Sequence, residues 1–221
     1  MSILDIIGPE MVGPSSSHTA GALRLARVAR SLVGGTPERA RVGLHGSFGK
    51  TYKGHGTDRA VAAGLLGFEP DDPRIVAALH LAGKEGLELH FEEANLGEKM
   101  HPNTLRIVAE RSGEEAELLG SSVGGGFIEV SRIDGYPVLL HGEYHTLMVV
   151  ADDIPGTVAA VTQLFAERSV NLAYMEVRRK RKGERALMIL QFDQPLDATA
   201  LAEIRAFPWL HSARPIPKLV Q

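Results

Sequence analysis

From residue 146 onward the sequence sets out six elements in the order strand, helix, strand, strand, helix, strand, and few folds accept that order. Residues 146–151 are an apolar run. Asp153-Ile154-Pro155-Gly156 is a turn that opens a helix reaching about residue 168, with Val158, Val161, Leu164 and Phe165 on one face. Strands are predicted at 171–178 and 186–192, with the basic turn 179–184 between them. A helix over 198–207 and a last strand over 210–216 complete a ferredoxin-like βαββαβ unit at 146–221.

The first 140 residues read differently. Leu25, Val28, Ala29 and Leu32 recur at helical spacing, while Arg24, Arg27 and Arg30 fall on another face. Residues 41–48 alternate as a strand. Thr57 and Asp58 offer a cap for a helix ending before Gly67, and Asp72-Pro73 opens another. Leu87, Leu89 and Phe91 alternate, and 104–140 is strand-like, broken at Gly113, Gly124-Gly125-Gly126 and Asp134-Gly135. The expected fold class is therefore α+β: a mixed α/β domain over 1–140, a linker within 133–143, and the ferredoxin-like domain over 146–221.

Hydrophobic residues make up 44% of the 221, enough for a packed core. No apolar run reaches the roughly 18 residues of a membrane span. Asp5 and Glu10 interrupt the apolar start, so a signal peptide is not expected and a cytoplasmic location is. A net charge of -3 argues against nucleic acid as a partner, and the basic run 178–182 reads as a solvated hairpin turn. The chain has no cysteine, which excludes disulfides, a catalytic thiol and thiolate ligation of a metal.

The chemistry concentrates in short polar knots. Ser15, Ser16, Ser17, His18 and Thr19 place four hydroxyls and an imidazole just ahead of a helix. Free N–H groups and the positive end of the helix dipole suit a small anion there, whereas a plain helix cap would need one Ser. Gly46–Asp58 reads as a Gly-rich loop carrying His55. Its Gly49-Lys50-Thr51 mimics the end of a P-loop, but Leu44 stands where that motif needs its first glycine, so nucleotide hydrolysis is rejected. His101-Pro102-Asn103-Thr104 is a third knot. Gly124-Gly125-Gly126 reads equally as an anion nest or a bend between strands. His18, His45, His55 and His101 lack metal-ligand spacing, so no intrinsic metal site is expected. In the last domain, Ile154, Gly156 and Asn171 are candidates for holding an amino acid.

Taken together, Gly13-Pro14-Ser15-Ser16-Ser17-His18-Thr19, Gly54-His55-Gly56-Thr57-Asp58, His101-Pro102-Asn103-Thr104 and Ser122-Val123-Gly124-Gly125-Gly126-Phe127 resemble the β subunit of the two-chain, iron–sulfur L-serine dehydratases. From Asp153 onward the chain resembles an ACT regulatory domain. The resemblance implies an allosteric-substrate-binding-type N-terminal domain, also seen in some phosphoglycerate dehydrogenases. It implies an assembled lyase that converts L-serine to pyruvate and ammonia. There a [4Fe-4S] cluster acts as Lewis acid on the substrate hydroxyl, and aminoacrylate is released to hydrolyse. A cysteine-free chain cannot ligate that cluster, so a cluster-bearing α subunit is the implied partner. Related single-chain dehydratases carry both halves together.

The resemblance puts Ser15, Ser16, Ser17, His18 and Thr19 at the substrate side, their hydroxyls and N–H groups holding the serine carboxylate. It makes His18, His55 and His101 candidates for orienting substrate or relaying a proton, and adds Asn103 and Thr104 as binding residues. The ACT portion is expected to bind an amino acid at Ile154, Gly156 and Asn171, or to mediate a homodimer. Two other readings stand beside this one. One is a stand-alone amino-acid-binding regulatory protein; the other is a detached regulatory piece of a phosphoglycerate dehydrogenase. The chain has no GxGxxG fingerprint to make it a dehydrogenase itself.

Overall fold

A computed structural model describes residues 9–179 and 181–220. The chain divides into two compact units after Gly142.

In the first unit a π-helical turn, Ser17–Gly21, runs directly into α1 (Ala22–Leu32). Strand β1 (Arg39–Leu44), α2 (Ser47–His55) and α3 (Thr57–Leu66) follow. A 3₁₀ turn, Pro73–Ala77, is capped by Asp72, whose carboxylate accepts from Arg74 N at 2.9 Å, and leads into α4 (Ala78–Lys84). The remaining elements are β2 (Glu88–Glu93), β3 (Thr104–Arg111), β4 (Glu114–Gly124), β5 (Phe127–Ile133) and β6 (Tyr136–Leu140). The sheet runs β2-β1-β3-β4-β5-β6, with β1 and β2 parallel and every other neighbour antiparallel. The helices between β1 and β2 supply the crossover that a parallel pair requires.

Close helix packing follows from small residues. Ala60, Val61, Ala62, Ala63 and Leu65 of α3 are fully buried, as are Leu23, Leu25 and Ala26 of α1. A side chain at Gly64 would come within 2.2 Å of Leu23 O, so the two helices approach at a distance only glycine permits. The charged pairs of Arg39 with Glu88 and Glu110, Arg41 with Glu115, and Arg106 with Glu117 are solvated and add little stability.

Two expectations change here. Residues 41–48 are not one strand: β1 stops at Leu44, and Phe48 is buried inside α2. The stretch 133–143 is not all linker, because Asp134-Gly135 turns the chain into β6 on the edge of the sheet. Arg24 is 6% exposed and donates to Gly126 O at 2.5 Å. That bond ties α1 to the Gly125-Gly126 hairpin turn between β4 and β5, where both residues have positive φ.

The second unit contains β7 (His145–Asp152), α5 (Thr157–Glu167), β8 (Leu172–Arg179), β9 (Arg185–Phe192), α6 (Ala198–Arg205) and β10 (Leu210–Ile216). The antiparallel sheet has the order β10-β7-β9-β8, the ferredoxin-like arrangement. Leu147, Val149 and Ala151 with Met188, Leu190 and Phe192 pack against Val161, Leu164, Phe165, Ala200 and Ile204 of the two helices. Phe165 meets Phe192 edge-on at 5.3 Å. In the basic hairpin Arg178 pairs with Glu176, Arg179 with Asp153 and Arg181 with Glu184, as expected of a solvated turn.

Candidate functional site

Two of the polar knots of the first unit, within 15–19 and 46–58, meet at His18, which is 9% exposed. The chain reaches it through the π-helical turn. Thr19 N donates to Ser15 O and Gly21 N to Ser16 O, so these N–H groups are spent within the helix. His18 N also donates to Ser15 Oγ at 3.3 Å, so this hydroxyl caps its own turn.

Helix α2 supplies the other wall. Ser47 and Thr51, four residues apart, present their hydroxyls to His18 Nε2 at 3.4 and 3.1 Å. On the other side of the ring Ser15 Oγ lies 3.3 Å from Nδ1. Phe48 sits edge-on to the imidazole at 5.1 Å, and the His55 ring lies 4.7 Å away. Burial first, and then the neighbouring His55, hold His18 below the ordinary imidazole range. Both causes disfavour the charged form of the His18 imidazole.

The Gly-rich stretch around these residues is not the loop its composition predicts. It forms a helix rather than a loop, broken only at Gly56, where φ is +71° and α3 begins. That left-handed residue turns the end of α2 so that His55 faces the site. Thr57 is therefore inside α3 and does not cap it by its side chain.

His101-Pro102-Asn103-Thr104 reaches the site through its backbone. Pro102 O accepts from Ser47 N at 2.8 Å and from Phe48 N at 3.4 Å, capping α2 where no side chain does. The His101 ring is exposed, and its Nδ1 accepts from Asn103 N at 3.1 Å, so it stabilises its own turn. Thr104 is fully buried; its hydroxyl donates to His101 O at 2.6 Å and meets Ser121 Oγ at 2.7 Å. These contacts use Thr104 structurally. Asn103 O accepts from Ser122 N, which fastens the knot to the end of β4.

Among the described residues seven buried side-chain polar atoms have no partner, and five lie on these segments: Thr19 Oγ1, His55 Nδ1, Thr57 Oγ1, Asn103 Oδ1 and Ser122 Oγ. Buried polar groups are rarely left so. Ser47, Thr51 and Ser122 were not singled out as site residues from sequence. The spacing of Ser47 and Thr51 by four was the available signal, once the segment is read as a helix. His45 stands apart, its Nδ1 accepting from Leu96 N at 3.2 Å. Among the described residues no group of three or more His, Asp or Glu side chains is placed to hold a metal.

In the second unit the candidates separate. Ile154 and Gly156 are exposed on the turn after β7, and Thr157 Oγ1 donates to Ile154 O. Asn171 is exposed just before β8. Asp152 at one end of β7 pairs with Arg185, whereas Leu172 pairs with Phe192, opposite His145. Ile154 and Asn171 therefore lie at opposite ends of one sheet, roughly 23 Å apart along a strand. A single copy does not bring them together. Asp153 meets the turn between β8 and β9, where the Gly183 N–H, and then Arg179, hold its carboxyl below the usual range.

The serine dehydratase beta chain family model matches residues 2–84, and the ACT domain model matches residues 145–208. The chain is 46% identical over 207 residues to a probable L-serine dehydratase beta chain of Bacillus subtilis, covering 94% of each. The chain belongs to the L-serine dehydratase beta-chain family. An L-serine dehydratase beta chain of Peptoniphilus asaccharolyticus is 40% identical over 88% of both chains. A D-3-phosphoglycerate dehydrogenase of Methanocaldococcus jannaschii is 23% identical over 91% of this chain but only 38% of its own length. The beta chain's second unit is an ACT domain. No helix among the described residues is long and apolar enough to cross a membrane.

Proposed function

We propose that this beta chain works in the cytoplasm as the cluster-free subunit of an L-serine dehydratase, which eliminates water from L-serine and yields pyruvate and ammonia. The observation that carries this reading is the 46% identity to a beta chain across nearly the full length of both proteins. In this reading a separate α subunit holds the [4Fe-4S] cluster, since the sequence has no cysteine to ligate one. When bound, that cluster supplies the Lewis acid for the departing hydroxyl.

This chain's share is the buried knot around His18. Ser15, Ser47 and Thr51 orient the imidazole, and His55 stands against it. Ser16, Ser17 and Thr19 line the same turn, and Asn103 adds an unpartnered buried oxygen. His18 and His55 are the pair to hold or relay a proton; His101 belongs to the turn that caps α2. In the same reading a second copy pairs along β8, and the ACT domain takes an amino acid at Ile154, Gly156 and Asn171.

Anaerobic co-expression with a cluster-bearing α chain tests the division of labour. Pyruvate release from L-serine is expected from the pair and not from the beta chain alone. Full activity of this chain without any iron would overturn it. The ACT match favours a second reading, a free amino-acid sensor. L-Serine binding by calorimetry, with no cysteine-bearing companion in a pull-down, would select that one.

A further inference from the structure

The hydrogen bonds around His18 determine which ring nitrogen carries the proton. A hydroxyl has one hydrogen, and Thr51 uses its own on Ser47 O, at 2.8 Å, one helical turn back. Thr51 Oγ1 therefore meets His18 Nε2, 3.1 Å away, as an acceptor. In the neutral ring the proton then sits on Nε2, and Nδ1 carries a lone pair. That lone pair faces Ser15 Oγ at 3.3 Å, so the Ser15 hydroxyl donates to it. The same oxygen accepts from His18 N at 3.3 Å. One lone pair remains on Ser15 for anything else.

We propose that Thr51 is a positioning residue that holds His18 in the Nε2–H form, and that Ser15 in consequence faces a ligand only as an acceptor. An acceptor matches an ammonium group and mismatches a carboxylate. Ser15 thus selects the amino end of an amino-acid substrate, not its carboxylate as the motif alone suggests. The assignment rests on the proposed serine site, but the tautomer is measurable without it.

The experiment uses the full-length chain with its histidines labelled with nitrogen-15, and two-bond nitrogen–proton correlation spectra. The His18 signals are identified by their loss in His18→Gln. Wild type and Thr51→Ser are expected to show the Nε2–H pattern, and Thr51→Val to shift toward Nδ1–H. An Nδ1–H pattern in wild type, or no change in Thr51→Val, overturns the proposal; should Thr51→Val not fold, the wild-type spectrum and Thr51→Ala decide it. In the complex with the α chain, losing this bond lowers kcat/KM for L-serine about tenfold in Thr51→Val and not in Thr51→Ser. A tautomer shift with unchanged kinetics leaves Thr51's hold on His18 standing and overturns the serine site. Ser15→Ala weakens inhibition by ethanolamine about tenfold and spares 3-hydroxypropionate; the reverse pattern overturns the acceptor assignment.

Discussion

A proton added to His18 puts a charge into a buried pocket beside a second imidazole. The folded state resists it, so the folded pKa lies below the ordinary 6.5. For a base with a lowered folded pKa, the unfolded chain binds more protons in the window between the two values, and stability rises with pH there. The contribution of His18 is complete above 6.5 and is lost as pH falls from 6.5 toward the folded value. The urea midpoint of wild type should therefore drop more than that of His18→Gln between about pH 7.5 and about pH 5.5. His145 is lowered in the same direction by burial and then by Lys218, so a residual slope remains in His18→Gln. Parallel slopes in the two proteins would show that His18 meets no such penalty. The residue types at this site were legible in the sequence; their roles were not. Ser15 and His18 were visible because hydroxyls and an imidazole crowd one turn. Thr104 looked equivalent, yet its hydroxyl is consumed by His101 O and Ser121, a use that depends on which strands pair.

At the scale of elements, the same glycine-to-alanine change should have opposite signs at two helical positions. At Gly64 the added methyl would meet Leu23 O at 2.2 Å, and the backbone of α1 cannot step aside without moving its own contacts. Gly64→Ala is expected to cost about 2–3 kcal/mol of overpacking. At Gly83 in α4 no atom lies within 4 Å of the added carbon, so only the entropy of the unfolded chain changes. Gly83→Ala should stabilise by about 0.5–1 kcal/mol. Chemical denaturation of both variants checks the pair; equal effects would mean that α1 and α3 do not approach so closely. Glycine also explains what sequence reading missed. The ACT unit was legible element by element because its apolar residues alternate or recur without interruption. Helix α2 was not: three of the ten residues 46–55 are glycine, its amphipathic signal is thin, and its cap is the carbonyl of Pro102, far along the chain.

At the scale of the whole molecule, the helix-facing side of the ACT sheet continues to its β8 edge and stops there uncovered. Met175 pairs with Leu190 and Val177 with Met188, so both share the core face of β9. Leu190 and Met188 are fully buried, whereas Met175 and Val177 are 40% and 44% exposed. Tyr174 on the opposite face is exposed as well. An edge strand with apolar side chains and unpaired main-chain groups is a template for a second strand. A two-fold related copy adding β8 to β8 runs antiparallel, so each Asn171 comes beside the end of the sheet that carries the other copy's Ile154 and Gly156. In the proposed pair the candidates that one copy holds apart would meet, and amino-acid binding would then depend on dimerisation. Replacing Met175 and Val177 together by Lys should therefore halve the sedimenting mass and abolish amino-acid binding to the ACT domain in the same variant. The other exposed edge tested is β6, where Pro137 has no N–H to donate and Leu139 is 54% exposed. Leu139→Lys should leave the mass unchanged. A dimer that survives the β8 double variant and falls apart in Leu139→Lys would move the interface to the first sheet. It would also leave Ile154 and Asn171 with no common ligand.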